Sequence, residues 1–230
     1  MKLLLFDVDL TLINSGGAGR RAMTRAFEEL FHKKNGFARV HLAGRTDTLI
    51  LKDALQRCDL PWNPTVEQNF RQLYFKYLKE EMQVPNPDKK LMPGIPELLK
   101  IIRARKGLEL GLLTGNWREG AMIKLGYFDL VQYFSVGAFG DDSEHRNELP
   151  EIVVRRFTQK YRQSIKAEDV YIIGDTPLDI DCARSFGARS VAVATGLYSF
   201  EQLQKAQPDL IFNNLSDPQK FLSLITTKIL

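Results

Sequence analysis

The chain has 230 residues, of which 44% are hydrophobic and 26% are charged, and its formal net charge is +4. This length suits one well-buried domain, or one domain that carries a smaller insertion. No apolar run approaches the roughly 20 residues of a membrane-spanning helix, so we expect no membrane anchor. The first apolar run ends in acidic residues without a secretory cleavage site, which predicts a cytoplasmic protein.

The basic residues do not form the pattern of a nucleic-acid surface. They cluster at 32–34, 103–106 and 153–157, on or beside predicted amphipathic helices, and aromatic residues do not alternate with them. We therefore expect no nucleic-acid partner and no membrane partner, whereas a small anionic substrate suits the mild positive charge. Cys58 and Cys182 are the only cysteines, and we predict buried thiols for both. The oligomeric state is left open.

The first predicted element is a buried strand at residues 2–6, KLLLF, and it runs directly into two acids. Asp7 and Asp9 are separated by one residue, so their side chains point the same way. Two carboxylates this close repel each other and lose solvation unless a cation compensates. The sequence therefore predicts a cation beside Asp7 and Asp9.

Residues 15–88 predict a helical insertion. Segments with the helical period lie at 16–34, 47–58 and 64–82, and the Pro- and Gly-rich stretch 84–94 predicts a hinge or linker. The first two helices are joined by LAGRTD at 42–47, where Arg45 is a candidate substrate contact. Thr46 or Asp47 as a simple helix N-cap is an equally good interpretation of this loop. We assign 1–14 and 89–230 to the core.

After the insertion, predicted strands alternate with helices. The strands lie at 108–114, 133–139, 170–175, 190–195 and 209–212, and helices at 95–106 and 149–161 separate some of them. This alternation predicts an α/β fold with a doubly wound, Rossmann-like parallel sheet and an inserted α-helical cap domain.

Polar residues follow several of these strands. In chain order they are Asp7 and Asp9; Thr114, Gly115 and Asn116; Arg146; and Asp175 and Asp179. Ligands of open α/β sheets bind outside the carboxyl ends of the strands, so these residues should meet. Asp7, Asp9 and Asp175 would form an anionic, oxygen-rich pocket, which suits Mg²⁺.

Four segments together resemble a known family. DVDLT, LLTGN, the basic residue at 146 and GDTPLD resemble the four ordered motifs of the haloacid dehalogenase-like hydrolase superfamily. The insertion resembles that superfamily's α-helical cap. The stretch from 93 to 116 is most similar to the phosphoglycolate-phosphatase-like branch. The resemblance spans nearly the whole chain.

The resemblance implies a role for each motif residue. Asp7 would attack phosphorus and form an aspartyl-phosphate, and Asp9 would protonate the leaving alcohol and later take a proton from water. Mg²⁺ would be held by Asp7, the Asp9 carbonyl and Asp175. Asp179 would complete the metal site by orienting metal-bound water, or would orient the basic residue, although Asp179 is also a candidate helix N-cap. Phosphoryl oxygens would be held by Thr114, Gly115 and Asn116, with a cap role for Thr114 as the alternative.

The chain departs from the family pattern at two positions. Leu10 stands where glycine is usual, and a positive φ there would cost on the order of 1 kcal/mol or more. Arg146 stands where lysine is expected, and arginine can clamp phosphate or Asp7 with two nitrogens. Lys124 is the competing candidate for this role, although its segment is typical of a helix surface.

These residues predict a Mg²⁺-dependent phosphatase that acts on a small organic phosphomonoester such as phosphoglycolate. A sugar-phosphate mutase of the same superfamily is the first alternative, and a catalytically idle binding protein that keeps the fold is the second. A dehalogenase is disfavoured, because carbon–halogen displacement does not require Asp9.

Overall fold

The computed structural model describes residues 1–226, and the fold is organised around one parallel sheet. The strands in these residues are β1 (Lys2–Phe6), β2 (Ile13–Ser15), β3 (Lys89–Leu91), β4 (Leu108–Leu113), β5 (Val136–Ala138), β6 (Val170–Gly174), β7 (Arg189–Val193) and β8 (Leu210–Phe212). Six of them form the sheet in the order β5-β4-β1-β6-β7-β8, and every neighbouring pair is parallel.

Helices cover both faces of this sheet and fill the insertion. They are α1 (Ala18–Phe31), α2 (Asp47–Arg57), α3 (Pro64–Gln83), α4 (Ile95–Ala104), α5 (Arg118–Tyr127), α6 (Leu149–Tyr161), α7 (Pro177–Phe186), α8 (Phe200–Lys205) and α9 (Pro218–Thr226). Short 3₁₀ turns lie at Val131–Tyr133, Arg146–Glu148 and Ala167–Asp169. No helix within residues 1–226 combines the length and apolarity that crossing a membrane requires.

The central strand β1 explains why both faces need cover. Its residues alternate between two apolar layers, so Leu4 and Phe6 pack on one side and Leu3 and Leu5 on the other. All four side chains are fully buried. A strand that is buried on both faces appears in sequence as a continuous apolar run, which is how β1 was predicted. The α/β, doubly wound, Rossmann-like prediction is confirmed.

Helices α1, α2 and α3 form a second apolar cluster, and we call residues Ala18–Gln83 the helical insert. Rings of Phe27, Phe37 and Phe70 meet edge to face or tilted at centroid distances of 5.4 to 6.5 Å. Trp117, which follows β4, joins this cluster 5.8 Å from the ring of Tyr74. One core residue is therefore packed inside the insert, and this contact fixes the insert over the strand ends.

Some local predictions differ from the structure. The short antiparallel pair β2 and β3 was not predicted, and β3 lies within the predicted hinge at 84–94. Three-residue strands carry too little alternation to be recognised. Lys124 is not on a helix surface, because only 4% of it is exposed. Cys182 is buried as predicted, but Cys58 at the end of α2 is only half-buried.

Candidate active site

Asp7 and Asp9 lie in the turn that follows β1. The Asp7 N–H donates to the Ile173 carbonyl at 2.9 Å, so sheet bonding continues past the strand end. Leu10 then adopts a φ of 59°, the left-handed conformation that costs a residue with a side chain about 1 kcal/mol or more. Its carbonyl accepts a hydrogen bond from Thr195 Oγ1 at 2.6 Å. The turn therefore has a positive φ at a residue that is not glycine.

Three buried carboxylates gather at the ends of β1 and β6. Asp7, Asp175 and Asp179 each offer one oxygen, and these oxygens all lie within 4.8 Å of one another. Thr11 Oγ1 donates to Asp175 Oδ1 at 3.3 Å. Asp179 also accepts from the Thr176 N–H at 3.1 Å and from the Thr176 hydroxyl at 2.7 Å. Thr176 is the N-cap of α7, so the N-cap role predicted for Asp179 is wrong; Asp179 is the third residue of the helix and bonds back to the N-cap.

Arg146 is the cation inside this cluster. Its Nη2 lies 3.3 Å from Asp7 Oδ1 and also donates to Asp179 Oδ1. Its Nη1 donates to the Gly44 carbonyl of the helical insert at 3.2 Å. Its Nε has no hydrogen-bond partner among residues 1–226. Arg146 is thus the basic residue beside Asp7, and the predicted competitor Lys124 lies elsewhere in the site.

The electrostatics of the cluster favour a bound metal. Burial raises the pKa of Asp7 to about 6, although Arg146 acts to lower it. Burial also raises the pKa of Asp175 well above its usual value, and the charges of Asp179 and Asp7 add to the effect. Burial would lower the pKa of Arg146, but Asp179 and Asp7 outweigh it and raise that pKa. The three carboxylates outnumber the one guanidinium, and carboxylate oxygens are a donor set that fits Mg²⁺.

Asp9 is not part of the three-carboxylate cluster and has its own hydrogen-bond partners. Lys124 Nζ donates to Asp9 Oδ2 at 2.6 Å and to Asn116 Oδ1 at 2.5 Å. Asn116 Nδ2 in turn donates to Asp9 Oδ2 at 2.9 Å and to Thr114 Oγ1 at 2.8 Å. Each of the paired aspartates therefore has a basic side chain beside it, Arg146 at Asp7 and Lys124 at Asp9, and the predicted metal stays a prediction. The carboxylate of Asp9 lies outside the metal-competent group.

The loop after β4 is pressed against the helical insert. A Cβ atom on Gly115 would overlap the Arg45 carbonyl oxygen, so only glycine permits this approach. The Gly115 carbonyl accepts from the Asp47 N–H at 2.8 Å, and Asp47 Oδ2 accepts from the Trp117 N–H at 2.8 Å. Because Asp47 is buried, its pKa is raised to about 7. Asp47 therefore links the insert to the predicted phosphate-binding loop.

Arg45 lines the cavity but has partners within the insert. Its Nη1 donates to Asp53 Oδ2 at 3.0 Å and to the His41 carbonyl at 3.1 Å, and its Nη2 donates to the Leu49 carbonyl at 3.3 Å. The side chain of Thr46 caps α2 at the Leu49 N–H. The capping interpretation of LAGRTD is therefore confirmed for Thr46, and substrate contact by Arg45 stays a prediction.

A cavity of about 330 Å³ separates the strand ends from the helical insert. We call its core side the floor; it contains Asp7, Asp9, Thr114, Gly115, Asn116, Lys124, Arg146 and Asp175. We call its insert side the roof; it includes Gly19, Met23, Arg45, Asp47, Ile50 and Tyr74. Every predicted site residue except Asp179 lines the cavity, and Asp179 lies directly behind Asp7 and Asp175. The volume is at the small end of ligand pockets.

Sequence reasoning gave too little weight to Lys124 and missed Tyr74. On α5 the buried residues are Gly120, Ala121, Lys124 and Leu125, so the apolar spacing of Ala121 and Leu125 already placed Lys124 beside the inward face. Tyr74 belongs to the aromatic face of α3. Nothing in its spacing separates it from the surrounding core residues.

Comparisons with known proteins identify the family of the chain. The model of the family described as haloacid dehalogenase-like hydrolase matches residues 4–193, and the chain belongs to that family. A phosphoglycolate phosphatase of Escherichia coli K12 is 29% identical over 147 residues, 64% of this chain and 56% of that protein. The match thus spans little more than half the length of this relative.

Solved structures share the fold. A Haemophilus somnus protein, named as a predicted phosphoglycolate phosphatase, has a TM-score of 0.72 at 20% identity, with 96% of this chain and 98% of that chain covered. A Thermotoga maritima protein whose name places it with the β-phosphoglucomutases has a TM-score of 0.63 at 19% identity, with 97% and 99% covered. At these identities the likeness concerns the fold alone.

Proposed function

We propose that the chain is a Mg²⁺-dependent phosphatase that hydrolyses a small organic phosphomonoester through an aspartyl-phosphate on Asp7. The observation that carries this proposal is the placement of Asp7 among Asp175, Asp179 and Arg146, beside an Asp9 that bonds Lys124. A nucleophile, a proton-transfer group and charge-stabilising donors then share one small cavity. The similarity to the phosphoglycolate phosphatase of Escherichia coli supports a phosphoglycolate-like substrate.

In the first step an Asp7 oxygen would attack phosphorus while the bond to the leaving oxygen breaks. Asp9 would give its proton to that leaving oxygen. In the second step Asp9 would take a proton from water, the water oxygen would attack phosphorus, and the bond to Asp7 would break. Asp9 lies beside the reacting groups and its side chain is 37% exposed, so it can serve both steps.

Other floor residues would stabilise the transferring phosphoryl group. Thr114, the N–H of Gly115 and Asn116 would donate to its oxygens, and Arg146 would balance the charge that develops on them. Mg²⁺ would be held by Asp7, Asp175, Asp179 and the Asp9 carbonyl, and when bound it would neutralise phosphoryl charge. Arg146 would act on every substrate alike. We also propose a cytoplasmic location.

The test is an activity screen across two-carbon, three-carbon and sugar phosphate esters, with and without Mg²⁺. We expect Mg²⁺-dependent release of inorganic phosphate from small esters, and loss of at least about 10⁴-fold in kcat for Asp7→Asn. Thermal melts of the variant control for folding. Product analysis separates the mutase alternative, in which a sugar phosphate isomer forms in place of phosphate. An idle binding protein would bind esters and turn over none, which would contradict the proposal.

A further inference from the structure

We propose that Tyr74 and Lys124 form a subsite for an oxygen acceptor on the leaving group; this inference rests on the proposed phosphatase function. Tyr74 lies on α3 of the helical insert, and none of its surface is exposed. Its hydroxyl is buried and has no hydrogen-bond partner among residues 1–226, yet the residue lines the cavity. A buried hydroxyl without a partner costs free energy, and a ligand oxygen would remove that cost.

Lys124 reaches the part of the cavity beside Tyr74 from the floor. A Cβ atom built on Gly19 of α1 would lie 3.4 Å from Lys124 Nζ and 3.8 Å from Tyr74 Oη. Both groups therefore border one small space that exists because residue 19 has no side chain. An ammonium has three hydrogens, and Asp9 and Asn116 accept two of those of Lys124. One hydrogen of Lys124 and the hydroxyl of Tyr74 remain for a ligand.

The first turn of α1 adds to this donor-rich environment. The N-cap residue Gly17 provides no side-chain hydrogen bond, and the first turn contains no acidic residue. Gly17 and Gly19 both line the cavity. N–H groups at a helix start lack intrahelical acceptors and favour electron-rich partners. An acceptor oxygen here would meet donors from the roof and from the floor.

The carboxylates that face this space set the ligand chemistry. The charges of Asp47 and Asp9 both act on Tyr74, after burial, to raise its pKa, so its hydroxyl stays a donor. Asp9 is already bonded to Lys124 and Asn116, and Asp47 accepts from Trp117. The subsite thus offers donors to an oxygen acceptor, either a hydroxyl or a carboxylate, at the end of a two-carbon leaving group.

Three esters with two-carbon leaving groups distinguish a carboxylate acceptor from a hydroxyl acceptor. 2-Phosphoglycolate carries a carboxylate, 2-hydroxyethyl phosphate carries a hydroxyl, and ethyl phosphate carries no acceptor. We expect Tyr74→Phe to lower kcat/KM about tenfold for the two esters with an acceptor and less than about twofold for ethyl phosphate. Its melting temperature should not fall and can rise, since the buried hydroxyl bonds nothing within residues 1–226. Equal losses for all three esters, or a marked fall in melting temperature, would overturn the proposal.

Gly19→Ala tests whether the ligand uses the space between Gly19, Lys124 and Tyr74. The added methyl would make ordinary contacts of 3.4 to 3.8 Å with Lys124 and Tyr74, so the fold should accept it. Alanine also suits a helix better than glycine does. We expect the preference for acceptor-bearing esters to fall about tenfold, as in Tyr74→Phe. The matched control is Gly126→Ala on α5, where a Cβ would meet nothing within 4 Å. Retained preference in Gly19→Ala would contradict the subsite.

Binding data separate failure of this inference from failure of the proposed function. Calorimetric titration of 2-phosphoglycolate into wild type and Tyr74→Phe needs no turnover. If no ester is hydrolysed, the phosphatase proposal fails, and about tenfold weaker binding to Tyr74→Phe still supports the subsite. If esters are hydrolysed and both proteins bind 2-phosphoglycolate equally, the subsite fails alone.

Discussion

The floor of the cavity is held by polar side chains that bond one another, whereas the roof is held by aromatic packing. On the floor Arg146 joins Asp7 and Asp179, and Lys124 joins Asp9 and Asn116. Loss of one partner in such a network leaves another buried group unpaired. The helical insert instead packs aromatic rings around its own apolar cluster. We therefore expect floor residues to set the chemistry and roof residues to set the choice of substrate.

Apart from loss of the nucleophile Asp7, the largest effect on kcat is expected from removing the Lys124 side chain that bonds Asp9. Lys124→Met removes both hydrogen bonds that this side chain donates and leaves Asp9 with the single side-chain donor Asn116. Because proton transfer depends on position, kcat should fall about 100-fold for every ester, including ethyl phosphate. Lys100→Met, at an exposed position of α4, is the control. Unchanged kcat in Lys124→Met would show that Lys124 does not position Asp9.

Binding of Mg²⁺ to the three-carboxylate cluster should change the stability of the protein. Mg²⁺ binding to Asp7, Asp175 and Asp179 relieves their repulsion and adds binding free energy, so saturating Mg²⁺ should stabilise the protein by about 1 to 3 kcal/mol. Calorimetry should show the melting temperature rising by several degrees in wild type. The rise should vanish in Asp175→Asn and persist in Asp181→Asn, an exposed α7 position. A rise that persists in Asp175→Asn would place the metal elsewhere.

A smaller effect is expected where roof and floor meet. Burial raises the pKa of Asp47 to about 7, from 3.8 in the unfolded chain. Its folded form therefore holds a proton more tightly, and the associated stability is complete below about pH 4 and is lost as the pH rises through 7. The amide of the Asp47→Asn variant does not titrate, so the variant does not lose this stability as the pH rises. The free energy of unfolding of the variant minus that of wild type should grow by about 1 to 2 kcal/mol between pH 6 and 8.

Asp53→Asn on the same helix is the control for that pH series. Burial of Asp53 acts to raise its pKa, but hydrogen bonds from Arg45 and Arg57 outweigh this and lower it. Its contribution to stability is present above its unfolded pKa and is lost only in acid, so it is constant from pH 5 to 8. Denaturant unfolding measured at several pH values checks both variants. Parallel curves for Asp47→Asn and wild type would mean that Asp47 does not titrate in this range.

The sequence predicted the floor better than the roof, for a physical reason. Asp7, Thr114 and Asp175 each follow a continuous apolar run, and parallel strands bring such positions to one edge. The family motifs further pointed to Arg146. Roof contacts depend instead on helix packing between distant segments, which no local period encodes. Tyr74 has the same spacing as its core neighbours, and the pairing of Arg45 with Asp53 required the helix α2 in place.

The left-handed turn at Leu10 could be predicted only in part. The sequence left open whether this position needs a positive φ, and the structure has one. Sequence could not show what offsets its cost, because the bond from Thr195 to the Leu10 carbonyl comes from a segment 185 residues away. Contacts at that separation follow only from the assembled sheet.

The central claim is that Asp7 carries the phosphoryl group between the two steps. The most direct measurement is rapid acid quenching during steady turnover with Mg²⁺ and 2-phosphoglycolate, followed by peptide mass spectrometry. We predict one added phosphoryl group on the peptide that contains Asp7, lost on treatment with hydroxylamine and absent from Asp7→Asn. Full turnover with no phosphoryl group on that peptide, or the same modification in Asp7→Asn, would contradict the account.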